Sequence, residues 1–381
     1  MTSSTRIQSL TATPDQLTVD WAGGDVSHYP AVWLRDNAPT DRHPHNGQRL
    51  VDIADAPAAP SIAAAVEVDG VVRVDWAGEA RRDAYAPDWL ARHARPMCVE
   101  RPELAPHLWL DGAQRDAAKD FAWSSLAAVR GEPATRLAWL TRLLQDGLAF
   151  LTGVGSDESA ILEATAPFGR IAETNYGQVF DVRFLAQPEN LADSDVGLGL
   201  HTDNPYREPV PGFQALHVLV ASPDGGASLF ADGFAVAEHL RATQPEAFAR
   251  IVETPVPFLY QSKDADLYAE RPLIALDCRG EIRAVHYNNR SIAPLRLPAA
   301  DVGPFYVAYR AFAQLLREPR FQLRLTLRDG ELVLFDNQRT LHGRTAFSSA
   351  RHPRHLRGCY LTRDSVYSTT ARLRRGLAAG D

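Results

Sequence analysis

Three side chains in the sequence have the types and the spacing of a metal site for oxygen chemistry. His201 and Asp203 are two residues apart, and His342 lies far downstream, just before Gly343. In an extended strand, residues i and i+2 point to the same face, so His201 and Asp203 can bind one ion from one short segment. Two imidazoles and one carboxylate are the protein ligands of a facial iron(II) site, which leaves positions open for oxygen. If His342 reaches the same ion, the sequence predicts an oxygenase.

The overall composition narrows the class of protein. The chain has 381 residues, of which 45% are hydrophobic and 23% are charged, as in ordinary globular proteins. Its net charge of −7 argues against a nucleic-acid interface, which needs a basic excess. The first ten residues are polar, unlike a signal peptide, and no stretch approaches the about 18 consecutive apolar residues of a membrane span. We therefore expect a soluble cytoplasmic protein that binds neither nucleic acid nor membranes.

The cysteines favour the same compartment. Cys98, Cys278 and Cys359 lie far apart and form no CxxC pair. This pattern is typical of reduced structural thiols, and it indicates neither a disulfide framework nor a zinc knuckle.

The N-terminal region, which precedes the elements that must position the three residues, contains a weak internal repeat. The sequence Val-Asp-Trp-Ala-Gly at residues 19–23 recurs at residues 74–78, and a Trp-Leu pair follows each copy. Asp69-Gly70, between valine-rich flanks, is a strong hairpin signal. We predict a structural β-meander domain with two related halves.

The domain boundaries follow from changes in patterning along the chain. We place the β-meander domain at residues 1–105, a connector without clear periodicity at 106–134, and a catalytic domain at 135–381. The catalytic domain is predicted to be mainly β with a few helices. Its strongest elements are a helix over 135–145, strands over 148–152, 214–221, 321–328 and 331–335, and a helix that starts near Asp232 and runs towards Arg241. The long connection from 184 to 200 is expected to carry function.

Four segments in order resemble the iron(II)- and 2-oxoglutarate-dependent dioxygenases of the taurine dioxygenase type. They are the His201 segment and residues 225–233, 336–347 and 354–360. The closer resemblance is to the γ-butyrobetaine hydroxylase and trimethyllysine hydroxylase branch, and it covers nearly the whole chain. The Trp-Leu-Arg-Asp-Asn segment at 33–37 belongs to the N-terminal domain of that branch. The resemblance implies a double-stranded β-helix (jelly-roll) catalytic domain and a small N-terminal β domain.

The resemblance also implies roles for individual residues. His201, Asp203 and His342 would bind Fe(II), and no further catalytic side chain is implied. Arg354 would hold the distal carboxylate of the co-substrate 2-oxoglutarate, beside the hydroxyl of Ser228. A guanidinium can grip a carboxylate bidentately without losing its charge. Without the resemblance, Arg354 would be interpreted as a solvated arginine of an Arg-rich tail.

The implied reaction consumes O2 and 2-oxoglutarate, releases succinate and CO2, and hydroxylates an unactivated C–H bond of a small substrate. The protein positions the reactants and excludes water. Three other histidines are expected in packing or polar networks rather than as metal ligands: His217, His286 and His355.

The branch binds a trimethylammonium group in an aromatic cage, because such a cation is attracted to π faces but cannot be hydrogen-bonded. The matching positions here are Tyr176, Phe180 and Tyr360, each of which could instead be a core aromatic. Close to Asn190, where the branch tends to carry a cage tyrosine, this chain has Asp193, whose carboxylate could neutralise a cation. Whether Asp193 or Asp195 faces the cation is left open.

The residues expected at the other end of the substrate differ from those of γ-butyrobetaine hydroxylases. Asn204, Tyr206, Asn289 and Arg290 supply more hydrogen-bond donors than a carboxylate needs, and a phosphonate dianion suits them better. This arrangement looks like the branch that hydroxylates 2-(trimethylammonio)ethylphosphonate at the carbon bearing phosphorus, a step of phosphonate catabolism. The alternatives are γ-butyrobetaine hydroxylation in carnitine synthesis and a non-catalytic, metal-dependent binding protein.

Two further expectations come from the relatives. They often place three cysteines after the Leu-Arg-Asp-Asn motif, where this chain has Ala38, Thr40 and His43. Because structural zinc sites are dominated by cysteine, no structural zinc is expected. Relatives are commonly homodimers, so a homodimer is expected here.

Overall fold

A computed structural model describes residues 5–94, 104–111, 114–183, 195–347 and 354–379 of the chain. The chain divides into two compact units, Met1–Glu100 and Arg101–Asp381. This division lies near the boundary predicted at residue 105.

The first unit contains two copies of one motif, each a three-stranded antiparallel sheet followed by a short helix. The first copy comprises β1 (Ile7–Thr13), β2 (Gln16–Trp21), β3 (Val26–Pro30) and α1 (Ala31–Asp36), and the second comprises β4 (Ile62–Val68), β5 (Val71–Trp76), β6 (Arg82–Tyr85) and α2 (Pro87–Arg92). The repeated Val-Asp-Trp sequence ends the central strand of each sheet, and alternate residues of both strands are buried. The two related halves predicted from the repeat are therefore present.

The Asp69-Gly70 hairpin joins β4 to β5, as the sequence predicts. Val68 pairs with Val71 across it, so the loop has two residues. Both loop residues have positive φ, 54° for Asp69 and 74° for Gly70. A two-residue hairpin of the favoured type needs positive φ at both positions, which Asp-Gly tolerates.

Ion pairs connect the segment after α1 to strand β6. Arg35 pairs with Asp41 at 2.8 Å, and Arg81 pairs with Asp41 at 2.8 Å and with Asp83 at 2.9 Å. The Thr40 hydroxyl donates to Asp83 at 2.6 Å. These polar contacts occupy the region in which relatives were expected to carry cysteines.

The second unit is a double-stranded β-helix, as predicted. Its strands are β7 (Ala122–Ser125), β8 (Leu148–Thr152), β9 (Ile171–Ala172), β10 (Phe180–Arg183), β11 (Leu198–His201), β12 (Phe213–Val220), β13 (Ser228–Asp232), β14 (Val256–Gln261), β15 (Asp266–Arg271), β16 (Ile274–Leu276), β17 (Ile282–Val285), β18 (Leu323–Leu325), β19 (Leu332–Asp336), β20 (Thr340–Arg344) and β21 (His355–Leu361). The larger sheet has the order β10-β21-β12-β19-β8-β7, with β9 beside β21, and the smaller sheet has the order β11-β20-β13-β18. Phe230 of β13 meets Phe335 of β19, so an apolar core lies between the two sheets.

Helices cover the outside of the sheets. They are α3 (Ala117–Asp120), α4 (Leu126–Gly131), α5 (Pro133–Asp146), α6 (Ala160–Thr165), α7 (Gly233–Thr243), α8 (Pro245–Glu253), α9 (Ala299–Leu315) and α10 (Arg363–Ala379). Leu140 and Leu144 of α5 are buried in one apolar cluster with β8 residues, which explains the leucine spacing. Asp232 accepts a hydrogen bond from the Phe234 amide at 3.0 Å and caps α7, as its position before the apolar run predicts. No helix in the described ranges is long and apolar enough to cross a membrane.

Two stretches differ from the expected elements. The alternating run at 321–328 forms a strand only over Leu323–Leu325, because it is the edge of the smaller sheet and pairs with β13 at three positions. Residues 106–134, expected as a connector, contribute β7, which pairs in parallel with β8. A four-residue edge strand carries too little periodicity to be recognised in sequence.

Of the cysteines, Cys278 is exposed and Cys359 is buried, both as free thiols, while Cys98 lies outside the described residues.

Candidate active site

Strand pairing brings the three proposed metal ligands together. His201 ends β11 and pairs directly with His342 of β20, and Asp203 follows β11 at once. The Asp203 Oδ1 atom lies 3.2 Å from Nε2 of His201 and 3.7 Å from Nε2 of His342. One ligand atom from each residue lies within 4.8 Å of the others, and no other such group of His, Cys, Asp or Glu occurs in the part of the chain that the structure describes. An ion with bonds of about 2 Å can bridge these atoms.

The electrostatics of the cluster suit a cation. Burial and the neighbouring His201 lower the pKa of His342 to about 3, so its imidazole is neutral at neutral pH. Burial opposes ionisation of Asp203, but the nearby imidazoles and the Tyr360 hydroxyl more than offset it and hold the pKa of Asp203 well below its usual range. The Nδ1 atom of His201 lies 2.9 Å from the Gly199 carbonyl, which fixes the ring and leaves Nε2 for the metal. The site thus offers two imidazole nitrogens and one carboxylate.

Asn337 holds the Asp203 backbone in place, a role not foreseen from the sequence. The Asp203 amide donates to Asn337 Oδ1 at 2.7 Å, and Asn337 Nδ2 donates to the Asp203 carbonyl at 3.0 Å and to the Pro211 carbonyl at 3.2 Å. Asn337 is fully buried. It links the β19–β20 turn to the segment after β11, but a lone asparagine in a turn gives no sequence signal for that contact.

Arg354 and Ser228 line one narrow pocket together with Gly226 and Thr326. Arg354 is only 7% exposed, and among the described residues no carboxylate lies within ion-pair distance of it. Burial and the nearby Arg344 lower the pKa of Arg354 to about 10, which leaves the guanidinium charged at neutral pH. A buried cation without a counter-ion is unfavourable unless an anion binds to it. This environment excludes the solvated arginine that the sequence alone favoured.

These residues fit the metal and the co-substrate of an iron- and 2-oxoglutarate-dependent dioxygenase. His201, Asp203 and His342 would hold Fe(II), which with 2-oxoglutarate and O2 supplies the oxidising chemistry when bound. Arg354 would neutralise the distal carboxylate of 2-oxoglutarate and fix its orientation, and Ser228 would add a hydroxyl donor. The apolar walls around Arg354, including Val218, Leu327 and Leu356, would exclude water from that end.

The proposed cage aromatics form one cluster. The Phe180 ring lies 5.1 Å from the Tyr360 ring and 6.5 Å from the Tyr176 ring. Tyr260 of β14, which sequence reasoning missed, lies 6.0 Å from Tyr176 and stacks on Tyr206 at 5.1 Å. An isolated tyrosine in a short hairpin gave no signal. Asn190 and Asp193 lie outside the described residues.

The four proposed anion contacts fall into two groups. Asn204 and Tyr206 are buried and bond to each other, with the Tyr206 hydroxyl donating to Asn204 Oδ1 at 2.6 Å. Asn289 accepts a hydrogen bond from Tyr309 at 2.7 Å, and Arg290 is exposed to an adjoining cavity. The structure therefore does not present all four as free donors at one point.

That cavity has a volume of about 510 Å³ and reaches His201. Three arginines line it, Arg290 from the segment after β17 and Arg310 and Arg317 from the α9 region, and no acidic residue of the described chain does. The protein walls desolvate Arg290 and lower its pKa, an effect that the Asp203 carboxylate opposes. Asp203 is thus close enough to interact electrostatically with this arginine. The cavity is positively charged and adjoins the metal ligands.

Three histidines that were not expected to bind metal occur in polar networks, as predicted. His217 Nε2 contacts the Gly155 carbonyl at 2.8 Å, His286 Nδ1 contacts the Pro272 carbonyl at 2.9 Å, and His355 contacts Asp181 at 2.8 Å. Burial lowers the pKa of His286 to about 4, so it is neutral. None of the three belongs to the metal cluster found in the described residues.

Comparisons with known proteins identify the family of the chain. Residues 112–360 match the taurine catabolism dioxygenase TauD, TfdA family, and residues 9–91 match the γ-butyrobetaine hydroxylase-like N-terminal domain. A γ-butyrobetaine dioxygenase of Pseudomonas sp. (strain AK-1) is 37% identical over 366 residues, which covers 94% of both chains. The human γ-butyrobetaine dioxygenase is 28% identical over 381 residues, which covers 95% of both chains.

A solved structure supports the fold. Asparagine oxygenase, in complex with Fe(II), a hydroxyasparagine and succinate, aligns with a TM-score of 0.50 and 20% identity, and covers 62% of this chain and 83% of that one. The family match makes a non-catalytic binding protein the wrong alternative. The chain belongs to the TauD/TfdA family of iron(II)- and 2-oxoglutarate-dependent dioxygenases, and it carries the N-terminal domain typical of γ-butyrobetaine hydroxylase-like members.

Proposed function

We propose that this dioxygenase hydroxylates a small zwitterion with a quaternary ammonium group at one end and an anion at the other. Two of its relatives are named for γ-butyrobetaine, which has this form. In this chain an aromatic cluster contacts Asp203 through the Tyr360 hydroxyl, and an arginine-lined cavity reaches His201. Such a division would orient the substrate with one defined carbon towards the metal.

The aromatic cluster is the proposed site for the cation. Tyr176, Phe180, Tyr260 and Tyr360 supply ring faces, and quaternary ammonium ions bind to such faces through the ring quadrupole. Asp193, or alternatively Asp195, is proposed to add a carboxylate that neutralises the cation. The hydroxyl groups of the tyrosines stay protonated, because burial raises the pKa of Tyr206 to about 12 and that of Tyr360 above its usual value.

The favoured substrate is 2-(trimethylammonio)ethylphosphonate, which would yield its 1-hydroxy product, succinate and CO2. The observation that carries this choice is the cavity with three arginines and no acidic residue among its described lining residues. A dianion gains more from such surroundings than a monoanion does. Arg290 and the Asn289 amide are proposed as the first contacts of the phosphonate. Tyr206 would turn its hydroxyl from Asn204 to a phosphonate oxygen.

γ-Butyrobetaine is the second candidate substrate, and the 37% identity to a γ-butyrobetaine dioxygenase favours it. Its carboxylate carries one negative charge and two acceptor oxygens, so it would leave part of the arginine charge in the cavity uncompensated. The two candidates therefore differ in how much they depend on Arg290.

A panel of substrates tests the proposal. Purified enzyme with Fe(II), ascorbate and 2-oxoglutarate is incubated with the phosphonate, γ-butyrobetaine or trimethyllysine, and succinate release and hydroxylated product are measured. We expect product in one-to-one ratio with succinate for the phosphonate and much less for the other two. Comparable turnover of the phosphonate and γ-butyrobetaine would remove the basis of the phosphonate proposal.

Two broader expectations stay predictions. We infer a cytoplasmic protein from the widely spaced cysteines, which are typical of reduced thiols, and a homodimer from the resemblance to the branch. Light scattering on the purified chain would test the homodimer, and a monomer at micromolar concentration would contradict it.

A further inference from the structure

Four side chains connect the proposed anion site to the metal triad through consecutive hydrogen bonds. The Tyr206 hydroxyl donates to Asn204 Oδ1 at 2.6 Å, and Asn204 Nδ2 donates to the Tyr360 hydroxyl at 3.1 Å. Tyr360 then donates to Asp203 Oδ2 at 2.7 Å. Tyr206, Asn204 and Tyr360 are at most 6% exposed, so water does not compete for these bonds.

The direction of every bond follows from the carboxylate. An ionised carboxylate only accepts hydrogen bonds, so Tyr360 must donate its one proton to Asp203. The Tyr360 oxygen can then only accept, which requires the NH2 group of Asn204 to face it. The carbonyl of Asn204 consequently faces Tyr206, whose proton it accepts. The single hydroxyl proton of Tyr206 is therefore donated to Asn204 and is not free for a ligand.

The backbone at Asn204 has an unusual conformation. Its φ is 54°, a left-handed value that non-glycine residues adopt rarely and that asparagine tolerates better than most. Such conformations persist where the surrounding structure fixes them, and they cluster at functional sites. Asn204 directly follows a proposed metal ligand, and both polar ends of its side chain are hydrogen-bonded.

We propose that Tyr206, Asn204 and Tyr360 form a relay through which binding of the substrate anion changes the hydrogen bond received by the metal-ligating carboxylate of Asp203. The proposal rests on the proposed function, because it takes the anion to bind at Tyr206. It assigns Tyr360 as a positioning residue for Asp203 rather than as a cage aromatic alone.

The physical basis is competition for one proton. A phosphonate oxygen only accepts, so Tyr206 donates either to the anion or to Asn204. When it turns to the anion, Asn204 Oδ1 loses its donor and the amide that fixes Tyr360 is released. The bond from Tyr360 to Asp203 Oδ2 then weakens, and the carboxylate is held less firmly in the position in which it binds the metal. A ligand with a quaternary ammonium group but no anionic group has no acceptor for the Tyr206 proton, so it leaves the relay unchanged.

The relay is testable with Co(II) as a spectroscopic substitute for iron. Enzyme with Co(II) and 2-oxoglutarate is titrated with 2-(trimethylammonio)ethylphosphonate or with tetramethylammonium, and the visible absorption of Co(II) is recorded. We expect the phosphonate, but not tetramethylammonium, to change the Co(II) bands of the wild-type enzyme. Calorimetry measures ligand binding independently.

Two conservative variants separate the two ends of the relay. Tyr206→Phe should bind Co(II) and the phosphonate yet lose the spectral response, and a wild-type response in this variant would overturn the relay. Tyr360→Phe should lower Co(II) affinity by about 10- to 100-fold, as losing a partner of a metal ligand typically does. Unchanged Co(II) affinity would overturn the link from Tyr360 to Asp203. Tyr268→Phe, an exposed tyrosine of β15, is the matched control and should behave as wild type.

The same measurements distinguish failure of the proposed function from failure of the relay. If the wild-type protein neither binds the phosphonate by calorimetry nor changes its spectrum, the proposed substrate and the trigger at Tyr206 are both overturned. The Co(II) affinity of Tyr360→Phe still decides whether Tyr360 positions Asp203.

Discussion

Two arginines in this site are proposed to bind anions, and their surroundings differ in almost every respect. Arg354 is 7% exposed, lies in a narrow pocket with apolar walls, and has no carboxylate partner in the described chain. Arg290 is exposed to a cavity of about 510 Å³ that it shares with Arg310 and Arg317. One arginine is enclosed and the other is open to solvent.

The difference matches what each anion must do. 2-Oxoglutarate is the same in every turnover, so one buried guanidinium in a fixed position can hold it, and the low dielectric strengthens the bond. The substrate must enter and be selected, which favours an open, positively charged cavity that attracts anions over a distance. We therefore expect substitutions of Arg354 to change the KM for 2-oxoglutarate and substitutions of Arg290 to change kcat/KM for the substrate.

The largest effect is expected from Arg354→Gln. Removing one partner of a buried charged pair costs about 2–5 kcal/mol, so the KM for 2-oxoglutarate should rise roughly 30-fold or more. The KM for the substrate should stay near its wild-type value. Initial rates at varied 2-oxoglutarate measure this, and an equal rise in both constants would show that the two arginines do not act separately.

Arg290→Ala should impair use of the substrate and leave 2-oxoglutarate binding intact. A hydrogen bond to a charged group contributes about 1.5–3 kcal/mol, so kcat/KM for the phosphonate should fall roughly tenfold or more. The KM for 2-oxoglutarate should not change. Arg296→Ala, which removes an arginine of the same segment that does not line the cavity, is the control. A phosphonate kcat/KM like that of wild type in Arg290→Ala would refute the role of Arg290.

A smaller effect on the enclosed side is expected from Gly226→Ala. Gly226 has a φ of 68°, and a Cβ atom there would lie 3.1 Å from Cδ of Arg354. The added methyl group should displace Arg354 and strain the backbone by about 1 kcal/mol. We expect the KM for 2-oxoglutarate to rise about fivefold while phosphonate binding is retained. Steady-state kinetics would show it, and an unchanged KM would mean that Arg354 does not need its present position.

Ionic strength should produce the smallest effect. Salt screens exposed charges over about 8 Å at physiological concentration, whereas buried pairs are screened much less. Raising sodium chloride should therefore increase the KM for the phosphonate more than the KM for 2-oxoglutarate. Equal salt sensitivity of the two constants would contradict the contrast between the open and the enclosed arginine.

Local geometry predicted a shared metal ion only for His201 and Asp203, and the assignment of His342 needed the family resemblance. His201 and Asp203 share one short segment, and His342 lies on the strand that pairs with it. Arg354 needed the family resemblance, since its burial depends on packing around β12 and β21 that the local sequence does not encode. The jelly-roll was likewise predicted from the family pattern together with the strongest strands.

The residues that the sequence did not reveal act through distant contacts. Asn337 reaches Asp203 across 134 residues, and Asn204 reaches Tyr360 across 156. Tyr260 joins the aromatic cluster from a separate two-stranded sheet. Such pairs have no periodicity or spacing that marks them in one sequence. Asn204 and Tyr206, in contrast, are only two residues apart, but the sequence does not show that their side chains bond to each other instead of remaining free donors.

One competition experiment tests the central claim most directly. Equal concentrations of 2-(trimethylammonio)ethylphosphonate and γ-butyrobetaine are mixed with the enzyme, Fe(II), 2-oxoglutarate and O2, and the two hydroxylated products are quantified by NMR. The product ratio at low conversion equals the ratio of the kcat/KM values. We expect the hydroxylated phosphonate to be the main product and Arg290→Ala to reduce its excess over hydroxylated γ-butyrobetaine. Predominant hydroxylation of γ-butyrobetaine would contradict the phosphonate assignment, and absence of both products would contradict the proposed substrate class.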